Sequence, residues 1–494
     1  MNFRQKKAVE RRMTRQFLMG VAVISLSACQ TLGKLGPDAT VVDAKAEVPI
    51  PSTWVEPASD ALPNSDWVGE FQSAKLTELV DTALLKNPTI GRNIAQLDQA
   101  LSRIRVSRSN LFPTVNGGAS STISRGGIGF NAGSESYDLG LNASWEADLF
   151  GRVRDQIDAD EVGAAASSAD VAATRLSIAG QVAQGWFNII QANQLVALSE
   201  SDISSLSRAF RLTQRRFESG ITGSSDVRLA KSSVANAEAL LALRLQNRDV
   251  LIRSLKALLR DYPDANMLVP ENFPALPALS GVGSPGDVLQ RRPDVIAAER
   301  RIAQSGLNVD IARKALYPSL NLSGGLSETV INRQGSTTGF DLGDLFDLQD
   351  VAKRLTAQLT APLFQGGRLR GQIEGQEAAL RGQVEAYVET VLRAYQEVEN
   401  ALDGEGRLLE REAALRISLE EAQKAEERLE TRYIEGLATI LQLLDAQSRR
   451  LSAEAQLVNV KAERLNNRVR LYVALGGGTY GAEASTQQLA QLAN

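Results

Sequence analysis

The 494-residue chain has no histidine and one cysteine, and it is poor in proline (15 residues) and in aromatic residues (5%). Without imidazole, histidine metal sites and the Ser-His-Asp and Cys-His routes to an activated nucleophile are excluded. One cysteine excludes an internal disulfide framework and thiolate metal clusters. Catalysis is thereby demoted, though not eliminated. Fifteen prolines are too few to punctuate the roughly three domains that this length would ordinarily imply. Scarce aromatics favour long helices over compact sandwiches. The 54 basic and 58 acidic residues leave a net charge of −4, which gives nucleic-acid binding no support. What is present is 43% hydrophobic residues, enough for a large buried surface and against wholesale disorder.

Arg4, Lys6, Lys7, Arg11, Arg12 and Arg15, opposed only by Glu10, precede the apolar run 17–26 and then small residues. This order predicts a secretory signal peptide over residues 1–28, whose apolar run is too short to span a bilayer as a mature helix. The only cysteine, Cys29, falls at the cleavage point in the string LSAC, which resembles the lipobox of bacterial lipoproteins. That resemblance implies three acyl chains on Cys29, more than the two signals needed for stable anchoring. The plain alternative is an ordinary signal peptide with an incidental cysteine. Gln30 after the cysteine, by resemblance to sorting signals, favours the outer membrane. Loss of the leader removes six basic residues and one acidic residue, so the mature chain moves from −4 to −9.

The remainder repeats itself. Asn87-Pro88 is followed by Phe112-Pro113, and Arg292-Pro293 is followed at the same spacing by Tyr317-Pro318. Leu149-Phe150-Gly151-Arg152 then answers to Leu363-Phe364-Gln365-Gly366-Gly367-Arg368, and Arg216-Phe217-Glu218-Ser219-Gly220 to Arg432-Tyr433-Ile434-Glu435-Gly436. The offset between matched landmarks is wider at Arg152/Arg368 than at Pro88/Pro293 and then stays constant to Gly220/Gly436. The aromatic landmarks Trp186 and Tyr395 stand at distances from Arg152 and Arg368 that differ by one heptad, which a helix could absorb in phase. Each half reads helix, hairpin, long helix, helix. Leu380, Val384, Tyr387, Val391, Ala394, Val398 and Ala401 step by 4 and 3, and the same frame continues to Tyr433, which is coiled-coil patterning. With no proline after Pro362, the whole stretch from Arg368 to Tyr433 is free to form one helix.

The strand signal is strict alternation. Tyr137, Leu139, Leu141, Ala143, Trp145, Ala147 and Leu149 alternate with polar or small residues; so do Leu355, Ala357, Leu359, Ala361 and Leu363, and Leu320 and Leu322 share one parity. Period 2 with small polar residues on one face fits an outer-membrane barrel, the other reading being an ordinary half-buried hairpin. The lipoprotein signal favours the membrane. Four strands cannot close a barrel, and an open edge is not tolerated in hydrocarbon. Two chains would give eight strands filled by side chains, and three would give twelve, wide enough for a lumen.

The strings RRPDVIAAERRIAQ (291–304), ALYPSLNLSGG (315–325), APLFQGGRLRGQI (361–373), RYIEGLATILQLLDAQ (432–447) and YVALGGG (472–478) resemble the TolC family of outer-membrane efflux ducts, in its lipoprotein NodT-type branch. The resemblance divides the chain into a cleaved leader (1–28), a lipid-anchored extended linker (29–64), a first repeat (65–262), an inter-repeat linker (263–283), a second repeat (284–478) and a tail (479–494). It implies a mainly α protein with membrane β structure: a homotrimer whose twelve strands form an outer-membrane β-barrel continuous with a periplasmic α-helical coiled-coil tunnel. It further implies docking through a periplasmic membrane-fusion adaptor onto an inner-membrane RND-type pump, with no cofactor other than the lipid on Cys29. The duct would conduct small molecules passively.

On that reading Arg216, Phe217, Gly220, Arg432, Tyr433 and Gly436 sit at periplasmic tips that meet the adaptor. The plainer account of Gly220 and Gly436 is left-handed capping. Glu426 lies on the apolar seam, a costly place for a carboxylate unless it is paired or faces water. With Glu427 and Glu430 it resembles the family's acidic apertures; the plainer account is a solvated face in which Glu420, Glu421, Glu426, Glu427 and Glu430 are joined to Lys424, Arg428 and Arg432 by i,i+4 pairs. Leu139, Leu141, Trp145, Leu149, Leu320, Leu322, Leu355 and Leu359 are expected to face lipid. Two other functions stay open: the outer component of a protein secretion system, and a lipid-anchored coiled-coil scaffold with no pore.

Overall fold

The structure, a computed structural model, describes residues 37–46, 48, 50–56, 61, 66–124, 134–279, 281–333 and 352–478. The leader, Cys29 and the tail from residue 479 lie outside the described residues. The elements run α1 (Pro37–Ala46), α2 (Ala74–Lys86), α3 (Pro88–Ser109), β1 (Thr114–Ser124), β2 (Ser134–Ala147), α4 (Arg152–Glu218) and α5 (Ser224–Leu258). They continue α6 (Pro285–Arg291), α7 (Pro293–Lys314), β3 (Ser319–Arg333), β4 (Ala352–Thr360), α8 (Arg368–Ile434) and α9 (Ile440–Ala474).

The duplication is carried by helix lengths. α3 and α7 each have 22 residues, α4 and α8 each have 67, and α5 and α9 each have 35. The offset between halves changes once, between the starts of α3 and α7 and the starts of α4 and α8, so the extra length of the second half falls in its hairpin. This corrects the heptad reading. α4 and α8 are equal, and Trp186 and Tyr395 are not equivalent positions; the counterpart of Trp186 is Leu402, also buried.

The fold comprises two units. The first, built on Ser107–Ala159 and Ile302–Arg381, holds the sheet. It is an antiparallel meander in the order β1-β2-β3-β4, the two hairpins being joined through β2 and β3. Opposed residues share a face, because successive side chains alternate across a strand. Leu141 opposes Gly117 and Leu326, Trp145 opposes Leu322, Leu320 opposes Leu359, and Gly324 opposes Leu355. One face thus carries Val115, Leu139, Leu141, Ala143, Trp145, Leu320, Leu322, Leu326, Leu355 and Leu359, together with the charged Glu328 and Lys353. The other carries Asn116, Ser120, Asp138, Asn142, Ser323, Ser327, Thr356 and Gln358. Below the sheet, Phe150 stacks on Tyr317 with centroids 5.0 Å apart, and Lys314 pairs with Asp155.

The second unit, from Ala44–Val106, Asp160–Arg301 and the chain from Gly382, is helical. Its core gathers Trp67, Phe71, Leu76, Val182, Trp186, Phe187, Ile252 and Tyr472, with Trp67 stacked on Tyr472 at 5.9 Å. The stretch expected as an extended linker is in part docked: Trp54 is buried, donates its indole N–H to the Gly283 carbonyl (2.8 Å) and meets Tyr395 edge-on. A large indole with its one polar group satisfied is a sound anchor, and no pattern of period could reveal it. α2, α6 and α9 start from side-chain caps at Ser73, Ser284 and Thr439, the last two as full capping boxes with Asp287 and Gln442, whereas α5 starts at Gly223 without one.

Candidate functional site

The tips are built by two identical chain reversals. At the end of α4, Ile221 N–H donates to the Arg216 carbonyl and Gly220 N–H to the Phe217 carbonyl, each at 2.8 Å; at the end of α8, Leu437 N–H donates to Arg432 (2.8 Å) and Gly436 N–H to Tyr433 (3.1 Å). These paired bonds are Schellman closures, with Gly220 (φ +72°) and Gly436 (φ +81°) in the left-handed region that a side chain would strain. Capping therefore accounts for both glycines.

The other four tip residues divide. Tyr433 is buried among Ala209, Ala230, Ile440 and Leu443, and its hydroxyl lies 2.7 Å from that of Thr213, which itself donates to the Ala209 carbonyl. Arg216 lies over the Tyr433 ring, 5.0 Å from its centroid, and donates to the Tyr433 carbonyl. These two hold one helix end against the other. Phe217 and Arg432 remain exposed, Arg432 donating to the Leu437 carbonyl at 3.4 Å. Beside them Ile221, Ile434, Leu437 and Leu441 are exposed as well, an apolar group that the sequence reading passed over. Apolar residues directly after a capping glycine were the available signal.

The three carboxylates expected at an aperture differ in their surroundings. Glu426 is buried and pairs with Arg450 of α9, which also meets Asp202 of α4 (3.4 Å) and Glu454 (2.7 Å). Burial raises the Asp202 pKa, against the opposing pull of Arg450. The partner of Glu426 stands across the helix reversal, out of reach of any i,i+4 rule. Glu427 is exposed and Glu430 half-buried, and Lys424 bridges Glu420 and Glu421 as the plainer account has it. Along the same seam Glu412 meets Arg464 (2.5 Å) and Arg416 (2.7 Å), and Glu405 meets Arg468 (2.8 Å). Burial alone would raise the Glu412 pKa, but the two arginines outweigh it and hold the carboxyl below its ordinary value.

On the sheet, seven of the eight positions expected to face lipid share the apolar face. Leu149 does not: β2 ends at Ala147, and Leu149 lies exposed in the bend that leads into α4. Tyr137 and Trp145 stand towards the two ends of β2 on that face, with Trp145 donating to the Leu111 carbonyl (3.1 Å). No metal-binding group and no membrane-spanning apolar helix occurs among the described residues.

Long paired helices ending in capped reversals, with an amphipathic four-stranded meander, define a class of outer-membrane channel. Residues 79–259 and 284–477 match the outer membrane efflux protein family, and the chain belongs to it. It is 28% identical to outer membrane protein OprJ of Pseudomonas aeruginosa, over 87% of this chain and 90% of that protein. It is 29% identical to the pyoverdine export outer membrane protein OpmQ of the same species, over 92% and 96%. The solved outer-membrane channel OprN superposes with a TM-score of 0.78 at 27% identity, covering 88% of this chain and 98% of that one. The protein is thus an outer membrane component of an efflux system.

Proposed function

We propose that three copies form one passive exit duct, a conduit and not an enzyme. The observation that carries this reading is the register of the sheet. It gathers the large apolar residues on one face, interrupted by Glu328 and Lys353, yet among the described residues the outer edges of β1 and β4 have no partner. In hydrocarbon such edges must be satisfied, and the other copies supply the strands. Three meanders give about twelve strands, enough to enclose water. Leu139, Leu141, Trp145, Leu320, Leu322, Leu355 and Leu359 then face lipid, and Trp145 and Tyr137 flank the apolar band in the manner of aromatic girdles.

In this reading the tips lie in the periplasm. Phe217, Arg432 and their apolar neighbours Ile221 and Leu437 receive a membrane-fusion adaptor, which joins the duct to an inner-membrane RND-type pump. Cys29 carries the lipid anchor. Exposed Glu427, with Glu430 beside it, is what remains of the acidic aperture. The test is reconstitution in planar bilayers together with the oligomeric mass in detergent. Discrete conductance from a three-copy species is expected; a non-conducting single copy overturns the reading.

A further inference from the structure

The polar face of the sheet carries a hollow of about 510 Å³, set wholly within one chain. Strand register resolves it into three rows that cross the strands. Gly118, Gly140, Ser327 and Ala352 form the middle row, where no side chain is larger than that of serine. Asn116, Asn142, Gly325 and Arg354 form the row on one side, and Ser120, Asp138 and Thr329 the row on the other. The result is a trough floored by backbone, with amides and a guanidinium along one wall and hydroxyls and a carboxylate along the other.

Two features make the trough more than the curve of the sheet. Glycine inside a strand loses packing and costs backbone entropy, so its presence asks for a cause. Crowding supplies one at Gly140, where a Cβ would come within 3.1 Å of the Leu326 carbonyl, and at Gly325, where it would come within 3.2 Å of the Asn142 side chain. It supplies none at Gly118: a Cβ there meets nothing within 4 Å, and the residue does not take a positive φ. The second feature is a pair of charges that do not meet. Asp138 and Arg354 stand four residues apart along the strands and two strands apart across them, about 16 Å between Cα atoms. Asp138 accepts from the Thr329 hydroxyl at 2.6 Å and more weakly from Ser120 at 3.4 Å, which fixes the carboxylate and leaves it lone pairs to spare. Arg354 is exposed and has no ion-pair partner among the described residues. Glu146 on the same face, by contrast, is closed by Arg152 through both oxygens at 2.9 Å.

We propose that this trough binds an elongated zwitterion of peptide character, its carboxylate on Arg354 and its ammonium on Asp138, with Asn116 and Asn142 bonding the amides between. A guanidinium takes a carboxylate through two parallel bonds, which suits Arg354 to that end. With both side chains leaning in, about 10 Å separates the charged groups, the span of an extended tripeptide. No large apolar side chain stands in the three rows, so the site favours a polar backbone without bulky substituents. Encounter with passing solutes rests on the duct reading, in which three copies set three such troughs around the lumen; the trough itself belongs to the single chain.

The test is binding of triglycine to the full chain in detergent, read by equilibrium dialysis, beside N-acetyl-triglycine, which lacks the ammonium, and triglycine amide, which lacks the carboxylate. Triglycine should bind at least tenfold more tightly than either. Arg354→Gln should abolish the advantage over the amide, and Asp138→Asn the advantage over the acetyl compound. Gly118→Val, which fills the trough, should abolish binding of all three. No saturable binding of triglycine to the folded parent overturns the proposal, as do equal affinities for the three compounds or unaltered binding by Gly118→Val. Should Gly118→Val fail to fold, as heat-modifiable migration would show, the exposed Arg354→Gln decides in its place. Planar-bilayer conductance separates the two readings. Binding that leaves the current of a conducting protein unchanged keeps the trough and overturns its lumenal placement; binding to a non-conducting protein sinks only the duct.

Discussion

The guanidinium of Arg216, within one turn of the end of α4, lies over the ring of Tyr433 at the end of α8 and donates to its carbonyl. One side chain thus reads both the face and the backbone of Tyr433, the counterpart of its neighbour Phe217. Arg432, which holds the equivalent place on α8, does no such work and donates to the backbone of its own turn.

The two arginines should therefore respond differently to charge reversal. Arg216→Glu removes the stacking contact and a bond to a buried residue, and should cost about 2 kcal/mol. Arg432→Glu should stay within about 0.5 kcal/mol, as exposed substitutions do. Urea midpoints in detergent would measure both, and equal losses would refute the division. If the docking proposal holds, Arg432→Glu should still weaken adaptor cross-linking.

Glu426 and Glu427 are adjacent in sequence and opposite in circumstance. Glu426→Gln removes one of three carboxylates around Arg450, which keeps Asp202 and Glu454, and losing that charge-assisted bond should cost about 1.5 kcal/mol. Glu427→Gln should be neutral in stability. Should thermal melting show the two variants alike, the buried pairing with Arg450 would be wrong.

Acid should weaken the α8/α9 seam through Glu412. Its pKa lies below the ordinary 4.5, so its stabilising contribution is present above that value and is lost as pH falls from 4.5 through the lowered one. Asp202, whose pKa is raised, works in the opposite sense, so the informative quantity is the gap between parent and Glu412→Gln. Melting curves from pH 7 to pH 3 should show that gap widest at pH 7 and shrinking below 4.5. A constant gap would contradict the pairing.

The sheet makes a neighbour comparison possible. Leu141→Arg puts a cation on the apolar face and should cost about 2–4 kcal/mol in insertion, whereas Asn142→Arg on the opposite face should insert normally and shift conductance toward anions. Heat-modifiable migration reads the first effect and bilayer recordings the second. Failure of Asn142→Arg to insert would reverse the assignment of faces.

What the sequence settled by itself is what local chemistry settles. The steps of 4 and 3 from Leu380, the absence of proline after Pro362, the alternation around Trp145 and the glycines at 220 and 436 each constrain a few consecutive residues, and the helices, strands and reversals follow. The duplication was legible for the same reason, since repeated landmarks need no partner to be seen. One landmark misled, because Trp186 and Tyr395 are similar residues at unlike positions; the equal lengths of α4 and α8 agree instead with the constant offset from Arg152/Arg368 to Gly220/Gly436. The tertiary structure decided every pairing across the reversals: Glu426 with Arg450, Arg216 with Tyr433, Trp54 with Gly283. A buried charge or indole announces that it requires a partner, but its identity depends on the register in which distant helices meet, and that register is fixed only when the whole seam packs.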